Sequence, residues 1–273
     1  MKIQLEKEGL VIFESVLYRT TTTLVIHQDY LLLVDPNWLP SELSFISDYI
    51  NKLNGVFPNK YLLFTHSDYD HIIGYGKFRD FQSIASHAFV SNPYQSKILN
   101  QIREFDNQYY VSRDYRISYP DIDHAIEGDR QLNSGSETFH FFQAPGHAMD
   151  AIITYVESAG ILIVGDYLSN IEFPFIDHNF QAYYRTLEKL DSLLSTLDVK
   201  ILITGHGDYT QRKEEMLGRL LFAREYLDDL KDSVIYGNPY DLNKLASQFD
   251  FFEGMKEAHR ANFQLTQREL KAV

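Results

Sequence analysis

The chain has no cysteine. No disulfide framework is available to it, and no thiolate can serve as a metal ligand. Any metal it holds must be bound through nitrogen and oxygen. It also lacks an apolar run approaching the about 20 residues of a membrane-spanning helix. Its first residues, Met1-Lys2-Ile3-Gln4-Leu5-Glu6-Lys7-Glu8, carry charge where a signal peptide needs an apolar core, so a cytoplasmic location with no membrane partner is the expectation. Basic residues are in the minority: 25 Lys and Arg against 38 Asp and Glu leave a net charge of −13. Nucleic-acid binders need a basic footprint to hold phosphates. Here the denser basic groups, such as Arg212-Lys213-Glu214-Glu215, are neutralised by their neighbours. Nucleic acid is therefore not an expected partner, and a small neutral or modestly charged substrate suits the balance.

What is present reads as a packed α/β protein. The apolar fraction of 44% is ordinary for a globular chain, and 273 residues accommodate one large α/β unit. Strands are expected over Leu10 to Glu14, Thr21 to His27 and Tyr30 to Val34, with Gln28-Asp29 as a hairpin turn. Further strands are expected at Tyr61 to Thr65, Gln82 to Ser86, Glu137 to Gln143, Ala151 to Val156, Ile161 to Val164 and Lys200 to Ile203. Helices are expected from Pro40 to near Asn54, in a short stretch through Phe78, from Pro93 to Phe105, from Phe180 to Leu197 and from Gln211 to Leu230. Gly237-Asn238-Pro239 marks a break. It divides a main domain, 1–235, from a C-terminal helical appendage, 236–273, expected to pack on the same domain.

The most informative stretch is His66-Ser67-Asp68-Tyr69-Asp70-His71, in which four of six residues are metal-ligand types. It follows an apolar strand and precedes a helix start, so a rigid edge projects its side chains into a turn. A polar loop with a helix N-cap would use Ser67, Asp68 and Asp70 equally well. Three later strand ends repeat the chemistry: Gly146-His147, Gly165-Asp166 and Gly205-His206. Glycine beside such a residue lets the backbone turn sharply and lets a ligand approach closely. Four strand ends with the same chemistry outweigh the bland reading of any one of them.

In this ordered set the sequence resembles the metallo-β-lactamase superfamily, whose motif is HxHxDH followed by a distant His, an Asp and a last His. Val34-Asp35-Pro36 matches the family's early supporting Asp, and the resemblance spans roughly residues 20 to 210. It implies a four-layer αββα sandwich and two divalent metal ions. It assigns His66, position 68 and His147 to the first ion, Asp70, His71 and His206 to the second, and Asp166 to both. Position 68 departs from the pattern: the family's His is Asp68 here. A terminal carboxylate favours harder ions such as Mn or Fe, although Zn also accepts Asp. The flavodiiron branch of the superfamily likewise uses a carboxylate at this position.

The function implied is a metal-dependent hydrolase that turns a metal-bound hydroxide on a small ester, lactone or thioester. Asp70 is the candidate to orient the attacking water and pass a proton to the leaving group. Two readings from other classes stay open: a di-iron oxidoreductase or oxygen-binding sensor, and a non-catalytic metal-binding protein. The superfamily hosts many chemistries on one scaffold, so the fold carries no preference for a β-lactam. Tyr69 within the motif, and Tyr167 and Asn170 after Asp166, are candidates to face a substrate. Asp150 is a candidate to orient a ligand. The Tyr-rich segment 107–130, with Arg113 and Arg116, reads equally as a pocket wall and as a surface or homo-oligomer contact. His27, His87, His124, His140, His178 and His259 have no ligand constellation and are read as structural.

Overall fold

Period-two alternation along the strands builds the layers. Tyr30, Leu32 and Val34 face one side of their strand, and Leu31 and Leu33 face the other. The computed structural model describes residues 1–271. One sheet holds β1 (Lys2–Lys7), β2 (Leu10–Glu14), β3 (Thr21–His27), β4 (Tyr30–Val34), β5 (Asn59–Leu63), β6 (Gln82–Ser86) and β7 (His124–Ile126) in that spatial order. Its first four strands are antiparallel and its last four run parallel. The other holds β8 (Arg130–Ser134), β9 (Glu137–Gln143), β10 (Ile152–Val156), β11 (Ile161–Ile163) and β12 (Ile201–Ile203), antiparallel except for the last pair.

A shared core lies between the sheets. Leu10, Ile12, Leu63 and Ile84 from the first meet Phe139, Phe141, Ile152, Ile163 and Ile203 from the second. On the outer face of the first sheet pack α1 (Pro40–Asn51), α2 (Tyr69–Ile72), α3 (His87–Val90) and α4 (Gln95–Gln108). On the outer face of the second pack α5 (Phe180–Thr196), α6 (Lys213–Tyr236), α7 (Leu242–Gln248) and α8 (Phe252–Lys271). The result is the four-layer αββα sandwich. Among the described residues no helix is long and apolar enough to cross a membrane.

Several boundaries differ from the sequence expectation. Strands β1, β7 and β8 were not expected. β1 and β8 are polar edge strands, KIQLEK and RQLNS, and β7 has only three residues, so none carries a clear apolar alternation. The stretch through Phe78 is not one helix: α2 stops at Ile72 and a 3₁₀ turn covers Tyr75–Lys77. Helix α6 runs past Leu230 to Tyr236, where Gly237 closes it in the left-handed conformation at φ +74°.

The Tyr-rich segment is a strap rather than a pocket wall. Arg113 is buried in a two-pronged pair with Asp106 at 2.8 Å and also donates to the Trp38 carbonyl. Tyr115 donates to Ile73 O and Tyr119 to Phe89 O. These groups are spent on holding the segment to the core, which leaves Arg113 no free donor face for a substrate anion.

Candidate metal centre

Every residue of the predicted site lies just beyond the C-terminal end of a strand. Past β5, His66 ends the strand-like stretch, Asp68 occupies the cap position of α2, and Asp70 and His71 fill its first turn. Asp68 makes no capping bond with its side chain, so its carboxylate is free for the centre. His147 follows β9, Asp166 follows β11, and His206 follows β12. The first sheet thus contributes four of the residues and the second sheet three.

The seven side chains converge as two groups. In one, His66 Nε2 is 3.6 Å from both Asp68 Oδ2 and Asp166 Oδ2, and His147 Nε2 is 3.3 Å from the same two oxygens. In the other, His206 Nε2 is 3.3 Å from Asp70 Oδ2 and from Asp166 Oδ2, and His71 Nε2 is 3.2 Å from Asp166 Oδ1. Asp166 therefore touches both. Donor atoms about 2.0–2.1 Å from a tetrahedral ion stand about 3.3–3.4 Å apart. The observed spacings match that figure.

The outer nitrogen of each imidazole is fixed. His71 Nδ1 donates to Asp35 Oδ2 at 3.0 Å, His147 Nδ1 to Phe175 O at 2.9 Å and His206 Nδ1 to Tyr18 O at 2.9 Å. Carboxylates and carbonyls only accept, so the proton sits on Nδ1 and the Nε2 lone pair points inward. His66 Nδ1 donates to Thr65 Oγ1 at 3.0 Å, because that hydroxyl gives its own proton to Asp35. Asp35 also accepts from Thr65 N at 2.8 Å, so one carboxylate steadies ligand-type side chains of both groups. Gly205 is required by proximity: a Cβ there would lie 2.1 Å from Asp166 Oδ1.

A cation fits this cage. His66 Nε2, His147 Nε2 and Asp166 Oδ1 are buried without a hydrogen-bond partner, a state that costs free energy unless something positive fills it. The Nε2 atoms of His71 and His206 face each other at 3.4 Å, two lone pairs with no proton between them. Protons would otherwise be drawn in. Burial opposes the charged form of His66, yet Asp166 and Asp68 push it up to about 8. Burial likewise opposes charging of His147 and His206, and neighbouring carboxylates hold both well above the ordinary range. Burial favours the neutral acid at Asp68 and Asp166, but the surrounding imidazoles hold both carboxyls well below their usual range. Ions that replace such protons relieve the same electrostatic demand.

The sequence profile of the metallo-beta-lactamase superfamily matches residues 17–206. The chain belongs to that superfamily. A curated relative, the probable metallo-hydrolase YqgX of Bacillus subtilis, is 27% identical over 190 residues, covering 68% of this chain and 84% of the relative. The metallo-beta-lactamase family protein TTHA1429 of Thermus thermophilus superposes with a TM-score of 0.62 at 16% identity, over 84% of this chain and 83% of that one. The superfamily protein ST1585 of Sulfolobus tokodaii covers 97% of this chain and 99% of its own, with a TM-score of 0.55 and 16% identity. At such identities the structural matches speak for the fold alone. Together with the His/Asp cluster, the family and the curated relative support a hydrolase fold suited to divalent metal ions.

Within this superfamily member, the proposed substrate residues part company. Tyr69 lines a cleft of about 600 Å³ that opens onto Asp68 and His147, with Tyr94, Lys97 and Met149 on its other walls. Tyr167 does not reach it. It is buried, its hydroxyl donates to Ala144 O at 2.7 Å and accepts from His147 N at 3.0 Å, and it braces the turn that carries His147. Asn170 is engaged by Asp208 through both its oxygen and its nitrogen, and borders a different cleft. Asp150 accepts from Ser67 N and Asn92 Nδ2, and so orients the motif backbone instead of an imidazole. His259 bonds Tyr226 and is structural, as read. Sequence reasoning missed Thr65 and the carbonyls of Tyr18 and Phe175. Thr65 lies directly before His66 as a visible polar residue, whereas a backbone carbonyl leaves no trace in residue type.

Proposed function

We propose that the chain is a metal-dependent hydrolase of a small ester, lactone or thioester, with the scissile group presented from the cleft beside Tyr69. The observation that carries this is the pair of His/Asp groups sharing Asp166, with four Nε2 atoms aimed inward. His66, Asp68, His147 and Asp166 would hold one divalent ion, and Asp70, His71, His206 and Asp166 the other. Such ions supply activated water at neutral pH and polarise the substrate carbonyl. Asp70, with Oδ2 at 3.3 Å from His206 Nε2, orients the attacking water and passes its proton to the leaving group. Asp68 is the more exposed carboxylate, with 38% of its side chain open to solvent, and it faces the cleft where substrate enters.

The test is metal analysis of protein purified without added metal, joined to turnover of ester, lactone and thioester panels. Two divalent equivalents, with turnover lost to a chelator and restored by Zn or Mn, are expected. No metal uptake and no turnover after adding Zn, Mn or Fe would overturn the reading. The Asp68 carboxylate favours one other outcome, a di-iron oxidoreductase or oxygen sensor, because a harder donor suits iron. Two iron equivalents with a visible absorption band and no ester turnover would select it.

A further inference from the structure

One wall of the cleft that opens onto Asp68 and His147 is the start of α4. Tyr94, Lys97 and Gln101 line it. Spacings of three and four residues put them on one face of the helix, beside the buried Ile98. None of the three side chains has a hydrogen-bond or ion-pair partner among the described residues. The other polar groups of the lining are spent or tied to the centre. Asn92 Nδ2 donates to Ser67 Oγ at 2.8 Å and to Asp150 Oδ2 at 2.9 Å, and Asp150 also accepts from Ser67 N. Asp177 stands beside His147, its N–H donating to His147 O at 3.1 Å.

Lys97 is thus a cation without a carboxylate, in a cleft that leads to the metal centre. Elsewhere Lys60, Lys77, Lys189 and Lys244 each hold a carboxylate at 2.6 to 3.1 Å. Its place in the helix sharpens the point. It stands in the first turn of α4, where a cation works against the helix dipole, and no acidic residue of that turn offsets it. A residue that breaks a local rule without local compensation is the mark of a functional position. The chemistry of the lining narrows the ligand. An ammonium is a compact point charge, without the fork by which arginine takes a phosphate. A doubly charged phosphate would also face the carboxylates of Asp150 and Asp177. One carboxylate suits the site, with the Gln101 amide and the Tyr94 hydroxyl as further donors.

We propose that Lys97 sets the specificity of this cleft by binding a carboxylate that the substrate carries away from its scissile group. The assignment rests on the hydrolase reading above and narrows its substrate class to esters, lactones or thioesters that bear a free carboxylate.

The metal-loaded protein is titrated calorimetrically with straight-chain dicarboxylates from succinate to suberate and with the monocarboxylates of matching length. Either acid offers one carboxylate to the ions, and only the dicarboxylate has a second for Lys97. At the best chain length the dicarboxylate is expected to bind about three- to tenfold more tightly, as for a solvent-accessible charged contact. KM for carboxylate-ended and neutral thioesters of the same chains should differ in the same sense. Lys97→Ala should remove this margin, Lys97→Glu should invert it, and added salt should shrink it. Lys52→Ala, which takes the same charge from the end of α1, should leave the margin in place. No margin at any chain length, or a margin that survives Lys97→Ala, would overturn the assignment even if esters are turned over. A margin that depends on Lys97, with no turnover of any ester, lactone or thioester, would overturn the hydrolase reading instead and leave the cleft as a carboxylate site.

Discussion

The two His/Asp groups share Asp166 but differ in their walls. The side chains of Asp70, His71 and His206 are at most 11% exposed, whereas Asp68, the corresponding carboxylate of the other group, leaves 38% of its side chain open to the cleft. Their supports differ as well. Asp35, itself buried, holds His71 directly but reaches His66 of the other group only through the Thr65 hydroxyl, while His206 and His147 each lean on a backbone carbonyl, Tyr18 O and Phe175 O. Charged partners hold an imidazole more strongly than neutral ones. One group is closed, with a carboxylate directly on one of its imidazoles, and the other is open to the cleft beside Tyr69.

Removing the shared carboxylate should erase this contrast altogether. Asp166→Ala is expected to empty both groups and abolish hydrolysis, with Asp166→Asn nearly as damaging, because each ion would lose its common anion. Metal analysis beside turnover checks it, and wild-type metal content with a wild-type rate would refute the two-ion assignment. Asp35→Asn should come next. It weakens the charged support of His71 and alters the grip on Thr65 and His66, so metal affinity should fall about 10- to 100-fold, with the closed group losing most. Competition against a chromophoric chelator reads the two steps separately.

Asn262 sharpens the comparison from a distance. It is buried in α8, accepts from Ile176 N at 2.8 Å and donates to Pro174 O at 2.6 Å, so it pins both neighbours of Phe175. Asn262→Ala should lower affinity at the open group, through His147, by about tenfold while sparing the closed group. Tyr226→Phe removes the other hydrogen bond of Asn262 and serves as the control, expected to lower Tm without that selectivity. Equal loss at both groups would show that Asn262 acts only through stability. The smallest change in occupancy is expected for Asp68→His, which should keep both ions yet move preference from Mn or Fe toward Zn, measured by direct competition.

The strand ends were legible because two signals coincide there: an apolar run ends, and a His or Asp follows a small residue. That coincidence pointed to His147, Asp166 and His206, and the clustering of His and Asp in residues 66–71 pointed to the other four. Tyr167 was misread because residue type does not tell which way a chain leaves a strand. Gly165 at φ +57° and Leu168 at φ +58° turn the segment so that Tyr167 points into the core. The edge strands β1 and β8 escaped notice because an edge facing solvent has no need of apolar alternation. The cleft beside Asn170 was invisible for a different reason. Its walls come from residues near 18, 171 and 251, and no local pattern records that a C-terminal helix pair will close over them.

Each His/Asp group draws side chains from both sheets: His66 and Asp68 against His147 and Asp166, and Asp70 and His71 against His206. A bound ion would then be a cross-link between two halves of the chain that are joined in sequence only through the short link between β7 and β8. Binding that requires both halves in place adds to folding stability by mass action, about 2.7 kcal/mol per site at a free ion concentration one hundred times the dissociation constant. The melting temperature should therefore climb with free metal. The ions should also bind late in refolding, after the sheets have docked, since neither sheet alone carries a complete set of donors.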